Sequence, residues 1–158
     1  GRGVRVGHVW SGPGGRGQNW ENHYGSLNDL PVTAGQVDRP IAGLLADMKS
    51  RGMLEDTLII WTTEFGRFPF TQGATGRDHN AKSFVTWLAG AGIKPGVAYG
   101  NSDDFAFEAV ENKTYCYDLH ATVLHLLGID HTRLAVKHNG INRRLTDVHG
   151  NVMREILA

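Results

Sequence analysis

Four side chains with ligand chemistry stand in polar, loop-like stretches of this sequence: Glu21 and His23 two residues apart, Glu64 after an apolar run, and His79 beside Asp78. In an extended segment residues i and i+2 point the same way, so Glu21 and His23 can face one ion. A mixed set of carboxylates and imidazoles suits zinc, manganese or iron better than a thiolate site would. Cys116 is the single cysteine, which removes thiolate clusters and intrachain disulfides; within YCYDLH it reads as a small buried hydrophobe. Histidine occurs eight times, mostly in polar stretches, which favours metal or proton chemistry. The competing structural reading is that a carboxylate after a strand caps a loop and an Asp-His dipeptide closes a turn. The spacing is not a tight signature of the H-E-x-x-H kind.

Other motifs are weaker. Gly12 to Gly17 satisfies G-x-G-x-x-G, but the following QNWENHYG has no helical stripe to hold a pyrophosphate, so a dinucleotide site is not expected. No Walker loop and no G-x-S-x-G elbow is present. His120 opens a helical stretch, His125 reads as a packed or surface residue, and His131, His138 and His149 read as solvated or hydrogen-bonded. Tyr115, Tyr117 and Trp87 read as core.

These groups need elements to position them. Val4–Trp10 alternates and predicts a strand, followed over residues 11–31 by a long irregular loop of the functional kind. Val37, Ile41, Leu44, Leu45 and Met48 share one helix face, with Asp38 as N-cap, Pro40 in the first turn and Gly52 at the end; Leu44 is a core candidate. Thr57–Thr63 and Phe84–Ala89 predict buried strands, the second leaving through Gly90-Ala91-Gly92. Leu119, Val123, Leu126 and Leu127 predict a helix capped by Asp118 and ended by Gly128, and Val148, Val152 and Ile156 a last short one. A helix followed closely by a buried strand reads as half of a parallel α/β unit. In a parallel sheet the candidate ligands fall near the carboxyl ends of strands, where they can converge at one rim.

The composition sets outer bounds. The 158 residues, 41% apolar and 20% charged, fit one globular domain, with no repeat and no second composition regime. Sixteen basic residues balance sixteen acidic ones, so nothing nominates nucleic acid or an anionic membrane as partner. No apolar run reaches the roughly 18 residues of a membrane span, and the first residues lack the charged-then-apolar pattern of a signal peptide. Glycine, at 21 residues, points to tight turns or close approach of backbone to a ligand.

Five segments agree in order with a known family: NWENHYG, TLIIWTTEFGRFP, GRDHN, FVTWLAGAGIKPG and YCYDLHATVLHLLGIDH. Together they resemble domain-of-unknown-function family 1501, bacterial proteins related to sulfatases within the alkaline phosphatase superfamily. The resemblance implies a three-layer α/β/α sandwich with a mostly parallel sheet, residues 1–158 being the C-terminal portion of one such domain. It also implies hydrolysis of phosphate or sulfate esters at a divalent metal centre, the ion being zinc, manganese or calcium. The acid-x-His ligand motif of the superfamily resembles Glu21-Asn22-His23, and its later single histidine resembles His79. Glu64 in TTEFG stands at the acidic position of an Asp-His pair whose histidine is replaced here by Phe65. The nucleophile and an early Asp ligand belong to a preceding half that these residues do not match. Arg67 or Arg77 is expected to clamp an anionic oxygen, because a guanidinium fits it bidentately, with an exposed loop charge as the competing reading. The implied partners are a small-molecule or polysaccharide ester and the preceding half of the domain, in a periplasmic or secreted protein. A non-catalytic binding or surface protein is the alternative, favoured by Phe65.

Overall fold

A computed structural model describes residues 3–11, 20, 21, 23 and 30–158. The chain divides into two units, residues 1–47 with 70–78, and residues 48–69 with 79–158. Among the described residues no helix is long and apolar enough to cross a membrane.

Helix α1 spans Leu30–Ser50, starting well before the expected Val37. Pro40 therefore lies inside it rather than in its first turn, and Asp38 is not its N-cap. Of the apolar stripe only Met48 is buried, while Leu44 is 49% exposed and not a core residue. A proline inside a helix removes one backbone hydrogen bond and clashes with the preceding turn, so the apolar stripe is a better guide to a helix face than to its limits. The N-terminal segment Val4–Trp10 forms no strand; its residues are exposed, Val9 at 97%. An alternating pattern becomes a strand only where a second strand supplies hydrogen bonds, and none does so here among the described residues.

The second unit corrects the expected sheet. Its strands are short and form four separate two-stranded antiparallel sheets, not a parallel sheet within a three-layer sandwich. Strand β1 (Ile59–Trp61) pairs antiparallel with β4 (Trp87–Ala89), in register Ile59 to Ala89 and Trp61 to Trp87. The rings of Trp61 and Trp87 stack nearly parallel, with centroids 6.4 Å apart. β1 is only partly covered, with Ile60 and Trp61 at 38% and 39% exposure, so it is not a strand buried on both faces. The 25 intervening residues contain no helix, whereas a parallel pair needs a crossover that returns the chain to the same edge. Within that connection β2 (Gly66–Arg67) pairs with β3 (His79–Asn80). Further on, β5 (Asn101–Ser102) pairs with β6 (Ala109–Glu111). The last sheet is a hairpin of β7 (Ala135–His138) and β8 (Ile141–Arg144). Its two-residue turn is Asn139-Gly140, both at positive φ (49° and 79°), the conformation that matches strand twist in a tight hairpin.

Helix α2 (Cys116–Leu126) anchors the unit. It begins earlier than its apolar stripe because Tyr115 is the N-cap and Asp118, two residues inside, accepts the Tyr115 N–H at 2.8 Å. Gly128, at φ +74°, ends it as expected. The buried face carries Ala121 and Thr122, and a second Asp118 oxygen accepts the Asn151 backbone N–H at 2.7 Å. The Thr122 hydroxyl donates to the Asp118 carbonyl at 2.8 Å and accepts the Met153 N–H at 3.0 Å. The C-terminal segment is thereby tied along the helix, where Met153 and Ile156 join Ala121 in the small buried core. Its single turn at Arg154–Ile156 is 3-10, not α-helix. Cys116 is exposed, as are Tyr115 and Tyr117, because α2 turns these N-terminal side chains away from the face that buries Thr122.

Candidate metal centre

In the first unit His23 is the organising group. Its ring is about one quarter exposed, with Nε2 at 2.9 Å from Glu21 Oε2 and Nδ1 at 3.8 Å from Asp78 Oδ1. Nδ1 also contacts the side-chain Oε1 of Gln72. Gln72 is placed by a tight turn in which its N–H donates to the Gly76 carbonyl at 2.9 Å, with Gly73 at φ +64° allowing the reversal. Arg77 follows directly, and its Nη1 donates to the Thr75 and Gly76 carbonyls at 3.2 and 2.9 Å. The turn therefore presents an amide oxygen and a carboxylate to one nitrogen of the ring, while the other nitrogen faces Glu21.

The chemistry of that arrangement is restrictive. A carboxylate only accepts hydrogen bonds, and so does an amide oxygen. An imidazole whose two nitrogens both face acceptors is satisfied as a doubly protonated ring, or by keeping the proton on one nitrogen while the other binds a cation together with its carboxylate neighbour. Metal bonds from histidine nitrogen and carboxylate oxygen are about 2.1 Å, so two such donors at a right angle lie about 3.0 Å apart, and about 3.4 Å apart in a tetrahedron. The 2.9 Å between His23 Nε2 and Glu21 Oε2 fits the octahedral angle as it stands. Glu21 and Asp78 side chains are each 47% exposed, so their charges remain hydrated and the pair stays accessible to an ion from solvent.

The family model described as "Protein of unknown function (DUF1501)" matches residues 1–157. The chain belongs to the DUF1501 family. No curated protein and no solved structure matches it.

The remaining expected residues of this DUF1501 chain lie in the second unit. His79 opens β3, opposite Arg67 in the β2 register, and its ring packs against that of Phe65 with centroids 4.0 Å apart. The Arg67 guanidinium lies 5.8 Å from the centroid of the same Phe65 ring. Glu64 is exposed and accepts from the Thr63 hydroxyl at 3.1 Å. Asn80, next to His79, is fully buried; its Nδ2 donates to the Ala106 and Phe107 carbonyls at 3.3 and 3.0 Å, and its Oδ1 accepts the Lys82 N–H at 3.0 Å. β3 is thus pinned by an amide rather than by apolar packing. Gln72 has no part in the motif reading and Asn80 enters it only as the last residue of GRDHN, since amides in polar loops carry no periodic signal. Asp78 was visible as the neighbour of His79 but not as a partner of His23. The glycine motif at residues 12–17 and Asn22 lie outside the described residues.

Proposed function

We propose that this chain contributes a divalent-cation site to a metal-dependent hydrolase of phosphate or sulfate esters. The observation that carries the reading is the pair formed by His23 Nε2 and Glu21 Oε2, 2.9 Å apart within the first unit, with Asp78 Oδ1 on the other side of the ring at 3.8 Å from Nδ1. Glu21 and His23 are the proposed ligands. His79 and Glu64, from the second unit, enter on the sequence reading, and the resemblance of TTEFG and GRDHN to sulfatase-related motifs supports the ester chemistry. Zinc, manganese and calcium are the candidate ions, manganese suiting the right-angle donor spacing best. A bound ion would polarise an ester oxygen and stabilise charge during in-line displacement. The chain's own residues bind and orient: Arg77, braced by its loop carbonyls, and Arg67, beside the Phe65 ring, would hold anionic oxygens of a small-molecule or polysaccharide ester.

A second reading, a non-catalytic binding or surface protein, is favoured by the Phe65 ring that covers one face of the His79 imidazole. Elemental analysis and turnover of aryl phosphate and aryl sulfate separate the two. The hydrolase reading expects a stoichiometric ion that His23→Ala removes and His79→Ala diminishes, both variants staying folded. Stoichiometric metal without turnover of either ester supports the binding protein, and no bound metal at all refutes the cation site.

A further inference from the structure

We infer that Gln72 is a positioning residue for His23, fixing which ring nitrogen is offered to a cation; the inference rests on the proposed cation site. His23 Nδ1 contacts Gln72 Oε1, whereas Nε2 faces Glu21 Oε2 at 2.9 Å. An amide oxygen accepts a hydrogen bond and cannot donate one, so once a cation takes Nε2 beside Glu21 this contact places the ring proton on Nδ1. Nε2 then carries the lone pair, on the side of the ring where the Glu21 carboxylate stands. The opposite tautomer would set the Nδ1 lone pair against the Gln72 oxygen and, at 3.8 Å, the Asp78 carboxylate. Metal-bound histidines commonly donate their other N–H to an outer oxygen, and losing that partner typically costs 10–100-fold in affinity.

The turn makes Gln72 suited to the role. Its backbone is bridged to Gly76, so the side chain leaves a closed five-residue reversal rather than a free loop. Gly76 is buried and Gly73 holds the left-handed conformation, which fixes where the amide starts. A leucine at position 72 keeps the length of the stem and removes the acceptor. A glutamate restores it with a charge.

Two measurements on the whole chain at pH 8 test this. Nitrogen-15 imidazole spectra of the Zn2+-bound protein should show His23 protonated at Nδ1 and ligated through Nε2, and Gln72→Leu should lose that preference while Gln72→Glu keeps it. Titration with Mn2+ and with Zn2+ should show about 10–100-fold weaker binding for Gln72→Leu and recovery in Gln72→Glu. A His23 proton on Nε2 in the unsubstituted protein, or equal affinities with an unchanged tautomer in Gln72→Leu, overturns the inference while leaving the cation site standing. If neither ion binds the unsubstituted chain, the cation site fails and the inference fails with it.

Discussion

Replacing Asp118 should unfasten the C-terminal segment from α2. The side chain is 5% exposed and accepts three donors: Tyr115 N–H at 2.8 Å, Asn151 N–H at 2.7 Å and Asn151 Nδ2 at 3.2 Å. Hydrogen bonds to an ionised acceptor contribute about 1.5–3 kcal/mol each, but Tyr115 and Asn151 are exposed, so water recovers part of what Asp118→Ala removes. The expected loss is therefore about 3–5 kcal/mol, out of a typical total of 5–15 kcal/mol. Asp118→Asn retains one acceptor oxygen and loses the charge, for about 1–2 kcal/mol. Thr122→Val leaves the Met153 N–H without its partner, again about 1–2 kcal/mol. Asp118 and Thr122 hold neighbouring residues of one segment, so the double variant should lose less than the sum of the two. Urea unfolding followed by far-ultraviolet circular dichroism gives these values as midpoint shifts at constant slope. A loss below about 1 kcal/mol in Asp118→Ala would refute the assignment of this carboxylate as the tie between helix and C-terminus.

Other substitutions and conditions give sharper local outcomes. At Gly90, φ +85°, an added Cβ would meet the Thr57 carbonyl at 2.2 Å and the Leu54 carbonyl at 2.8 Å, so Gly90→Ala should abolish cooperative unfolding of the second unit. Gly140 has the same handedness, φ +79°, but open space around it, so Gly140→Ala should cost only about 1–2 kcal/mol through backbone strain, read in the same denaturation assay. The Asp103 carboxyl is held below its ordinary range, chiefly by the Phe107 N–H and also by those of Glu108 and Phe105, with a smaller opposing effect of desolvation. Because the folded value is the lower one, its support is complete above the unfolded value near 3.9 and disappears as pH falls through the folded value. Amide exchange at residues 105, 107 and 108, corrected for its intrinsic pH dependence, should therefore lose protection below about pH 3.9 and not above it.

Local chemistry was legible along the chain wherever one residue type has one backbone use. Gly128 ends α2 because only glycine enters the left-handed region without strain, and TLIIWTT and FVTWLA each contain a strand. The hairpin at residues 135–144 carries a strong short signal in Asn139-Gly140, but its strands are almost wholly exposed, so no buried face marks them in the sequence. Glu21 and His23 were readable as a pair because two residues of an extended segment share a side. Gln72 was not, since 49 positions separate it from His23 and an amide in a turn looks like any other.

Direction, pairing and coverage belonged to the tertiary structure. An apolar run states that a strand wants neighbours but not whether they run parallel or antiparallel; β1 meets β4 antiparallel because no helix between them carries the chain back across the sheet. Burial depends in the same way on partners distant along the chain. Leu44 and Trp61 remain exposed despite their types, whereas the largest fully buried side chains among the described residues are Asn80, Thr122 and Thr146, polar groups each held by hydrogen bonds that only the folded chain supplies.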